Sequence, residues 1–189
     1  VLGELQRRGL SPALDTIVER RRFARYHFNE ARQLLDEAIG DSGHISIVGK
    51  VLGGYDKEPG EFEWVRIRAS ANINSCVHSM HSLADILGQV IYLALGMNRH
   101  ASTELEARMV NAYTLRDRLP GGRIKELLNE LLTHPDFVYL SALNNQSKHR
   151  SIVPMPYSVD MMGTDAVGHR LKFASFEYDG TCYPERWVR

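Results

Sequence analysis

The heptapeptide Asn-Asn-Gln-Ser-Lys-His-Arg, which ends at Arg150, has the residue types of a polar binding or catalytic site. Asn145 and His149 are one helical turn apart, so an amide and an imidazole can face one substrate. Asn144 and Lys148 have the same spacing, and Lys148 or Arg150 can neutralise a phosphate. The alternative is that the cations only offset the negative end of a helix dipole.

A second set of candidate residues lies on one stripe of the most apolar segment. Asn74, His78, His81 and Asp85 follow one another at helical spacing, within an arc of roughly 60°. Two imidazoles and a carboxylate can bind a divalent metal ion, or place a histidine beside a carboxylate for proton transfer. The stripe therefore predicts a metal-dependent hydrolase that uses His78, His81 and Asp85. The alternative is a solvated or interhelical polar face, because no complete metal motif such as HExxH is present.

The most basic run of the chain lies in the first predicted helix. Arg21, Arg22 and Arg25 could bind phosphates or carboxylates of a substrate. Neighbouring acidic residues such as Glu19 and Glu30 favour the alternative of a solvated helix face with salt bridges.

The helix that must position these residues spans about Asn72 to Asn98, the most apolar segment of the chain. Its second half is apolar on nearly all sides, so we expect other helices to surround it. The helix could begin as early as residue 61, or kink near Ser70, and Gly96 predicts its end. Its densest apolar run is shorter than the roughly 18 to 20 residues of a membrane span.

Four further helices are predicted from periodicity and end signals. Ser11 and Pro12 predict a start at residue 12 for a helix that ends near residue 39. Thr103 and Glu106 resemble a capping box for a helix that ends at Pro120. The last two are expected at residues 123–133 and 135–149.

The rest of the chain predicts extended structure. Residues 41–60 are glycine-rich and predict a long connection with one short strand or hairpin. Residues 169–178 alternate in polarity, and Asp179 with Gly180 predicts a two-residue hairpin turn. We expect a mainly α fold, an antiparallel bundle of about five helices around the long central helix, with a small C-terminal β-hairpin. The helical bundle would comprise residues 1–153, and residues 154–189 would form an extended tail and hairpin packed on it.

Composition limits the functional class. A chain of 189 residues that is 43% hydrophobic and 24% charged is typical of one soluble globular domain. Its net charge of zero lacks the global basic character of a dedicated nucleic-acid binder, although a local basic patch remains open. Cys76 and Cys182 do not form a disulfide framework and favour a cytoplasmic location. The start at Val1 without methionine favours a trimmed fragment.

A helical bundle with a polar-residue-to-histidine motif in a late helix resembles the HEPN superfamily. Its members are often dimeric ribonucleases or RNA-binding partners, and their motif is an arginine, four to six residues, then a histidine. The match covers residues 144–149, with Asn144 in place of the arginine. The resemblance implies that His149 is catalytic or contacts RNA, with Asn145 as its polar companion. Arg22 and His27 have the motif spacing, but in the first helix.

Three functions follow as hypotheses, and whether the protein is an enzyme stays open. The first is RNA binding or cleavage by a HEPN-like homodimer through His149, Asn145, Lys148 and Arg150, aided by the arginines of the first helix. The second is the metal-dependent hydrolase, whose cofactor would be a divalent metal ion. The third is a non-catalytic, dimeric interaction or regulatory protein. None of them requires a membrane.

Overall fold

The computed structural model describes residues 4–40, 49, 60–160 and 169–189. The strand or hairpin predicted within residues 41–60 therefore lies outside the described residues. The described part contains five α-helices, namely α1 (Glu4–Ile39), α2 (Glu61–Ala94), α3 (Ala112–Arg118), α4 (Arg123–Thr133) and α5 (Pro135–His149). Single 3₁₀ turns at Met97–Arg99 and Ala107–Met109 connect α2 to α3.

Five short strands follow α5 in the C-terminal part of the chain. They are β1 (Tyr157–Val159), β2 (His169–Phe173), β3 (Phe176–Tyr178), β4 (Thr181–Tyr183) and β5 (Arg186–Trp187). Strands β1, β2 and β5 form an antiparallel sheet in that order, and β3 pairs with β4. Asp179 and Gly180 both have positive φ, 49° and 73°, as a type I′ hairpin turn requires. The prediction of a mainly α fold with a small C-terminal β-hairpin is confirmed.

The start of α1 differs from the prediction. Helix α1 already includes Glu4, and Pro12 lies inside it, so the predicted start at residue 12 is wrong. The reason is a tertiary contact of its first turns. The buried Gln6 side chain donates to the Leu93 carbonyl oxygen at 2.9 Å and exchanges two hydrogen bonds with the Asn98 amide. These bonds hold the helix where local sequence favours a cap.

Helix α2 is one continuous helix that begins at Glu61. The alternative of a start at residue 61 is therefore confirmed. The limits predicted at Asn72 and Asn98 are corrected to Glu61 and Ala94. The helix ends at Ala94, and Gly96 then adopts a left-handed conformation with φ 67°, which favours glycine.

The start of α3 corrects a second prediction. Thr103 does not cap a helix, because its hydroxyl donates to the Met97 carbonyl oxygen at 2.7 Å. The N-cap is instead Asn111, whose side-chain oxygen accepts from the Thr114 backbone N–H at 3.0 Å. Asparagine is among the strongest N-cap residues, so Asn111 could have been recognised from the sequence.

Helices α4 and α5 have the predicted bounds. The apolar spacing of α4 predicts an inner face of Ile124, Leu127, Leu128 and Leu131, but the core buries a different face. Leu128 and Leu132 are buried, whereas Ile124 and Leu127 are exposed and Leu131 is half-buried. The helix thus carries more apolar surface than the core covers.

Contacts between residues divide the chain into two compact units. Unit 1 consists of Val1–Arg25 and Val77–Ser141, and unit 2 consists of Tyr26–Cys76 and Ala142–Arg189. Both units contain parts of α1, α2 and α5. The boundary predicted at residue 153 falls inside unit 2.

The core of unit 1 is apolar and closely packed around α2, α3 and α4. Ala112 and Leu115 of α3 are completely buried. Gly88 of α2 lies directly against the start of α3, and an added Cβ would be 2.6 Å from the Asn111 carbonyl carbon. The core contains Ala84, Tyr92, Leu93, Met97, Ala112, Leu115, Leu119, Leu128, Leu132 and Phe137.

The interior of unit 2 combines helix and sheet residues. On the sheet, Tyr157, Leu171 and Phe173 are buried, and Leu171 faces Tyr157 across the β1–β2 pair. Buried residues of the helices and of the segment before β1 are Ala31, Leu35, Ile39, Ala69, Ile73, Ala142, Leu143, Val153 and Met155.

No helix in the described part of the chain has both the length and the hydropathy needed to cross a bilayer.

Candidate functional sites

The end of α5 presents its cations to solvent, as the sequence predicts. Lys148, His149 and Arg150 are all exposed. Asn145 is half-buried, whereas Asn144 is only 4% exposed, and its Nδ2 lies 3.4 Å from Oδ1 of Asn145. Asn144 therefore belongs to the interior of unit 2, and a ligand at the exposed helix end would meet the other four residues first.

Arg150 links the end of α5 to the β3–β4 turn. Its Nη2 donates to Oδ1 of Asp179 at 2.8 Å, and its guanidinium carbon lies 4.8 Å from the centre of the Tyr178 ring. The arginine and aspartate side chains are 51% and 69% exposed, so water screens their ion pair. The cation–π contact and the ion pair together place a basic helix end beside an aromatic hairpin.

One face of the β3–β4 hairpin is aromatic. Phe176 and Tyr183 are cross-strand partners, and their rings stack with centroids 5.0 Å apart and planes 11° apart. Tyr178 lies two residues after Phe176 and so shares this face. We call the surface formed by Lys148, His149, Arg150, Tyr178 and Tyr183 the α5–hairpin surface.

The basic residues predicted on the first helix belong to unit 1. Arg21, Arg22 and Arg25 are exposed on α1. Arg22 donates to Oε1 of Glu19 one turn away. This pair fits the alternative of a solvated helix face with salt bridges.

The residues of the α2 stripe do not assemble as metal ligands. His78 and Asp85 are exposed, whereas His81 is half-buried. The His81 ring stacks on Phe137 with an interplanar angle of 8°, and its Nε2 lies 3.3 Å from the Ser141 hydroxyl. Within the described ranges, no three histidine, cysteine or acidic side chains are placed to hold a metal ion. The predicted metal site thus finds no support there, because His81 faces α5.

A histidine–asparagine pair joins α1 and α2 inside unit 2. The Asn72 amide donates from Nδ2 to the Arg68 carbonyl oxygen at 3.1 Å, which turns its Oδ1 toward His27. Since Oδ1 can only accept, Nδ1 of His27 carries the proton and donates to it at 2.8 Å. Sequence spacing drew attention to His27, but no local signal pointed to Asn72, which is 45 residues away.

Polar contacts also connect the start of α2 to β1. Arg66 donates from Nη1 to the Met155 carbonyl oxygen at 3.0 Å and from Nε to Oε2 of Glu63 at 2.7 Å. The hydrogen bond from Arg66 lowers the pKa of the Glu63 carboxyl below its usual value. The Phe62 ring meets Tyr157 edge-on at 5.3 Å. These contacts stabilise the fold.

Tyr157 and His169 form a second polar contact in the interior of unit 2. The Tyr157 hydroxyl lies 2.6 Å from Nδ1 of His169 across the β1–β2 pair. Burial raises the pKa of Tyr157 well above its usual value, and the negative charge of Asp36 adds to this effect, against a smaller opposing effect of Arg170. The phenol therefore keeps its proton over the whole physiological pH range.

An open cavity of about 590 Å³ lies in unit 2 beside the start of α2. Three carboxylates, Glu37, Glu61 and Glu63, and one cation, Arg68, are among the residues that line it. Glu63 already pairs with Arg66. The remaining described lining residues are Leu34, Ala38, Gly49, Gly60, Phe62 and Val65.

Comparisons with protein-family models, with curated proteins and with solved structures gave no match for this chain.

Proposed function

We propose that this protein binds single-stranded RNA through the α5–hairpin surface. The observation that carries the proposal is the position of Arg150 over the Tyr178 ring. It places the basic end of α5, where Lys148 and Arg150 are exposed, next to the aromatic face of the hairpin. Cations that neutralise phosphates, combined with aromatic rings that stack on bases, are what proteins use to bind single strands.

The structure favours single strands over duplexes. A base can stack on Tyr178 or Tyr183 only when it is unpaired and turned outward. The surface offers only two residues that are cations at neutral pH, Lys148 and Arg150, and the net charge of the whole chain is zero. A long phosphate backbone would therefore find few contacts, and we expect a short binding site of a few nucleotides.

The proposal includes a HEPN-like relationship and, with it, RNA cleavage. Asn145 and His149 are one turn apart on α5, and His149 is exposed to any bound strand. In that role the imidazole would transfer a proton at the ribose–phosphate linkage, and Asn145 would orient it or the substrate. A protein that only binds RNA would use the same surface without this step.

Binding is tested with a fluorescently labelled mixed-sequence RNA, in single-stranded and duplex form, at several salt concentrations. We expect the single strand to bind more tightly and the logarithm of affinity to fall with the logarithm of salt with a slope of about −1.4, as about two neutralised phosphates imply. Tyr178→Leu should weaken binding about tenfold through lost stacking. Lys148→Ala should reduce the salt slope by about 0.7.

Arg108→Ala is the matched control, because Arg108 is also an exposed arginine paired with a neighbouring carboxylate, that of Glu106. It should leave both affinity and slope unchanged. Equal binding of duplex and single strand, or an equal effect of Arg108→Ala and Tyr178→Leu, would contradict the proposed surface. A DNA strand of the same sequence that competes as well as RNA would contradict the choice of RNA.

Cleavage is measured in the same samples, with and without a chelator. If the protein is a HEPN-like nuclease, His149→Ala abolishes cleavage and the chelator does not affect it. Loss of cleavage on chelation alone would instead favour a metal-dependent hydrolase.

A further inference from the structure

Helix α4 carries an exposed apolar stripe that the core of unit 1 does not use. Leu128 and Leu132 supply the buried face, at 2% and 3% exposure. Ile124 and Leu127 are 44% and 47% exposed, and Leu131 is half-buried. These three residues have the i, i+3, i+7 spacing of one helical face, beside the buried face rather than on it. The α4 stripe, Ile124, Leu127 and Leu131, is thus a second apolar side of a short surface helix.

Opposite charges border the α4 stripe at its two ends. Arg123 and Glu130 lie on the flank of the stripe away from the core, with Arg123 at the N-terminal end and Glu130 near the C-terminal end. Their side chains are 68% and 64% exposed, and Nη1 of Arg123 lies 3.5 Å from Oε1 of Glu130 in the same chain. The same Nη1 lies 3.6 Å from Oε2 of Glu126, which is also exposed. The flank therefore has a cation at its N-terminal end, followed by carboxylates.

We propose that a second copy of this protein packs on the α4 stripe in antiparallel orientation, related by a two-fold axis near Leu127. In this arrangement each stripe covers the other, and Arg123 of each copy faces the partner's Glu130. A parallel arrangement would place arginine beside arginine and glutamate beside glutamate. The charge pattern is thus complementary to itself only when the two helices run in opposite directions.

The dimer is expected to be weak. One three-turn helix from each copy buries less than the roughly 1,200 Å² of a standard stable interface. Exposed ion pairs add little affinity and mainly set orientation. The sequence predicts a homodimer but does not indicate which surface forms it. The α4 stripe supplies such a surface, and this proposal does not depend on the proposed RNA binding.

Sedimentation equilibrium over a wide range of protein concentration measures the association. We expect a concentration-dependent dimer for the unmodified chain, and a dissociation constant at least tenfold higher for Leu127→Lys, because each dimer carries the change twice. Leu14→Lys is the matched control, since Leu14 is also 47% exposed on a helix of unit 1. It should leave the association unchanged. Circular dichroism verifies that both variants keep their helices.

The antiparallel orientation has its own test. Arg123→Glu alone and Glu130→Arg alone should each weaken the dimer, because like charges then face each other at both ends. An equimolar mixture of the two variants should associate about as well as the unmodified chain, since both ends of a mixed dimer again pair opposite charges. In a parallel dimer the unmodified chain would already pair like charges at both ends, so neither variant alone would weaken it and the mixture would associate more tightly than the unmodified chain.

Three outcomes would overturn the proposal. These are a monomer at every concentration, a dimer that survives Leu127→Lys, and a mixture of the two charge variants that stays as weakly associated as each alone. RNA binding is measured separately on Leu127→Lys and should be unchanged, so a failure of one proposal does not decide the other.

Discussion

Different chemistry stabilises the interior of each of the two units. In unit 1 the long-range contacts are apolar packing around α3 and hydrogen bonds of uncharged groups, such as the Gln6–Asn98 amide pair. In unit 2 they include groups that carry or gain charge, such as the Arg66 guanidinium and the Tyr157 phenol. The stability of unit 1 should therefore depend most on the shape of its packed residues. The stability of unit 2 should depend on pH as well.

The largest expected effect is that of Gly88→Ala in unit 1. The new methyl group would lie 2.6 Å and 2.7 Å from backbone atoms of Asn111 and Ala112, which cannot move aside as a flexible side chain can. We expect α2 and α3 to separate and the free energy of unfolding to fall by about 3 kcal/mol. Urea unfolding followed by circular dichroism measures it. Gly121→Ala is the control, because an added Cβ there meets nothing within 4 Å. Equal midpoints for the two variants would contradict the close packing.

Gln6→Leu tests the polar contact that starts α1. The change removes the bond to the Leu93 carbonyl and leaves the half-buried Asn98 amide without its Gln6 partner. We expect a loss of about 2 kcal/mol in the free energy of unfolding. Gln33→Leu removes an amide of the same helix that is exposed and bonds only to Glu37, so it should cost less than about 0.5 kcal/mol. A similar small loss for Gln6→Leu would mean that α1 does not depend on this contact for its early start.

How much the sequence could predict depends on how local the cause was. Helices α4 and α5 have their predicted bounds because their signals, a glycine, a proline and a leucine period, lie within the helices or next to them. The start of α1 was missed because Gln6 bonds to residues almost 90 positions away. The sheet partners β1 and β5 were missed because an alternation of polar and apolar residues cannot be recognised over only two or three residues.

The candidate sites follow the same rule. Exposure of Lys148, His149 and Arg150 could be predicted, because cations at a helix end rarely become buried. The contact of Arg150 with Tyr178 and Asp179 could not, since it depends on the position of a hairpin almost thirty residues later. His81 was expected beside metal ligands, but its direction is set by Phe137 and Ser141 on α5.

In unit 2, Arg66→Met should have an intermediate effect that depends on pH. The variant leaves the Met155 carbonyl without its guanidinium donor and Glu63 without its cation. We expect a loss of about 1.5 kcal/mol at neutral pH, the usual size for a hydrogen bond that involves a charged group. Arg108→Met, which breaks a fully exposed ion pair, should cost almost nothing.

The pH dependence of Arg66→Met has a defined sign. Because the folded state lowers the pKa of Glu63, the pair stabilises the fold above the unfolded pKa of about 4.3 and loses this effect as pH falls through the lower folded value. The difference between the unmodified chain and Arg66→Met should therefore shrink below about pH 4. A difference that stays constant down to pH 2.5 would show that Glu63 takes no part.

The smallest effect at neutral pH is expected for Tyr157→Phe, which removes only the hydroxyl bonded to His169 and should cost about 1 kcal/mol. In alkali this effect should change sign, so that Tyr157→Phe becomes more stable than the unmodified chain. Since burial raises the folded pKa of Tyr157, its contribution to stability is complete below the unfolded pKa of about 10 and is lost as pH rises toward the folded value, by about 1.4 kcal/mol per pH unit. Plots of the free energy of unfolding against pH should cross near pH 11 for the unmodified chain and Tyr157→Phe. The control is Tyr26→Phe, which changes an exposed tyrosine of the same unit and should give a plot parallel to that of the unmodified chain. Parallel curves for Tyr157→Phe as well would mean that its phenol ionises as readily in the folded as in the unfolded chain. The pH sensitivity of unit 2 would then depend on the Glu63–Arg66 pair.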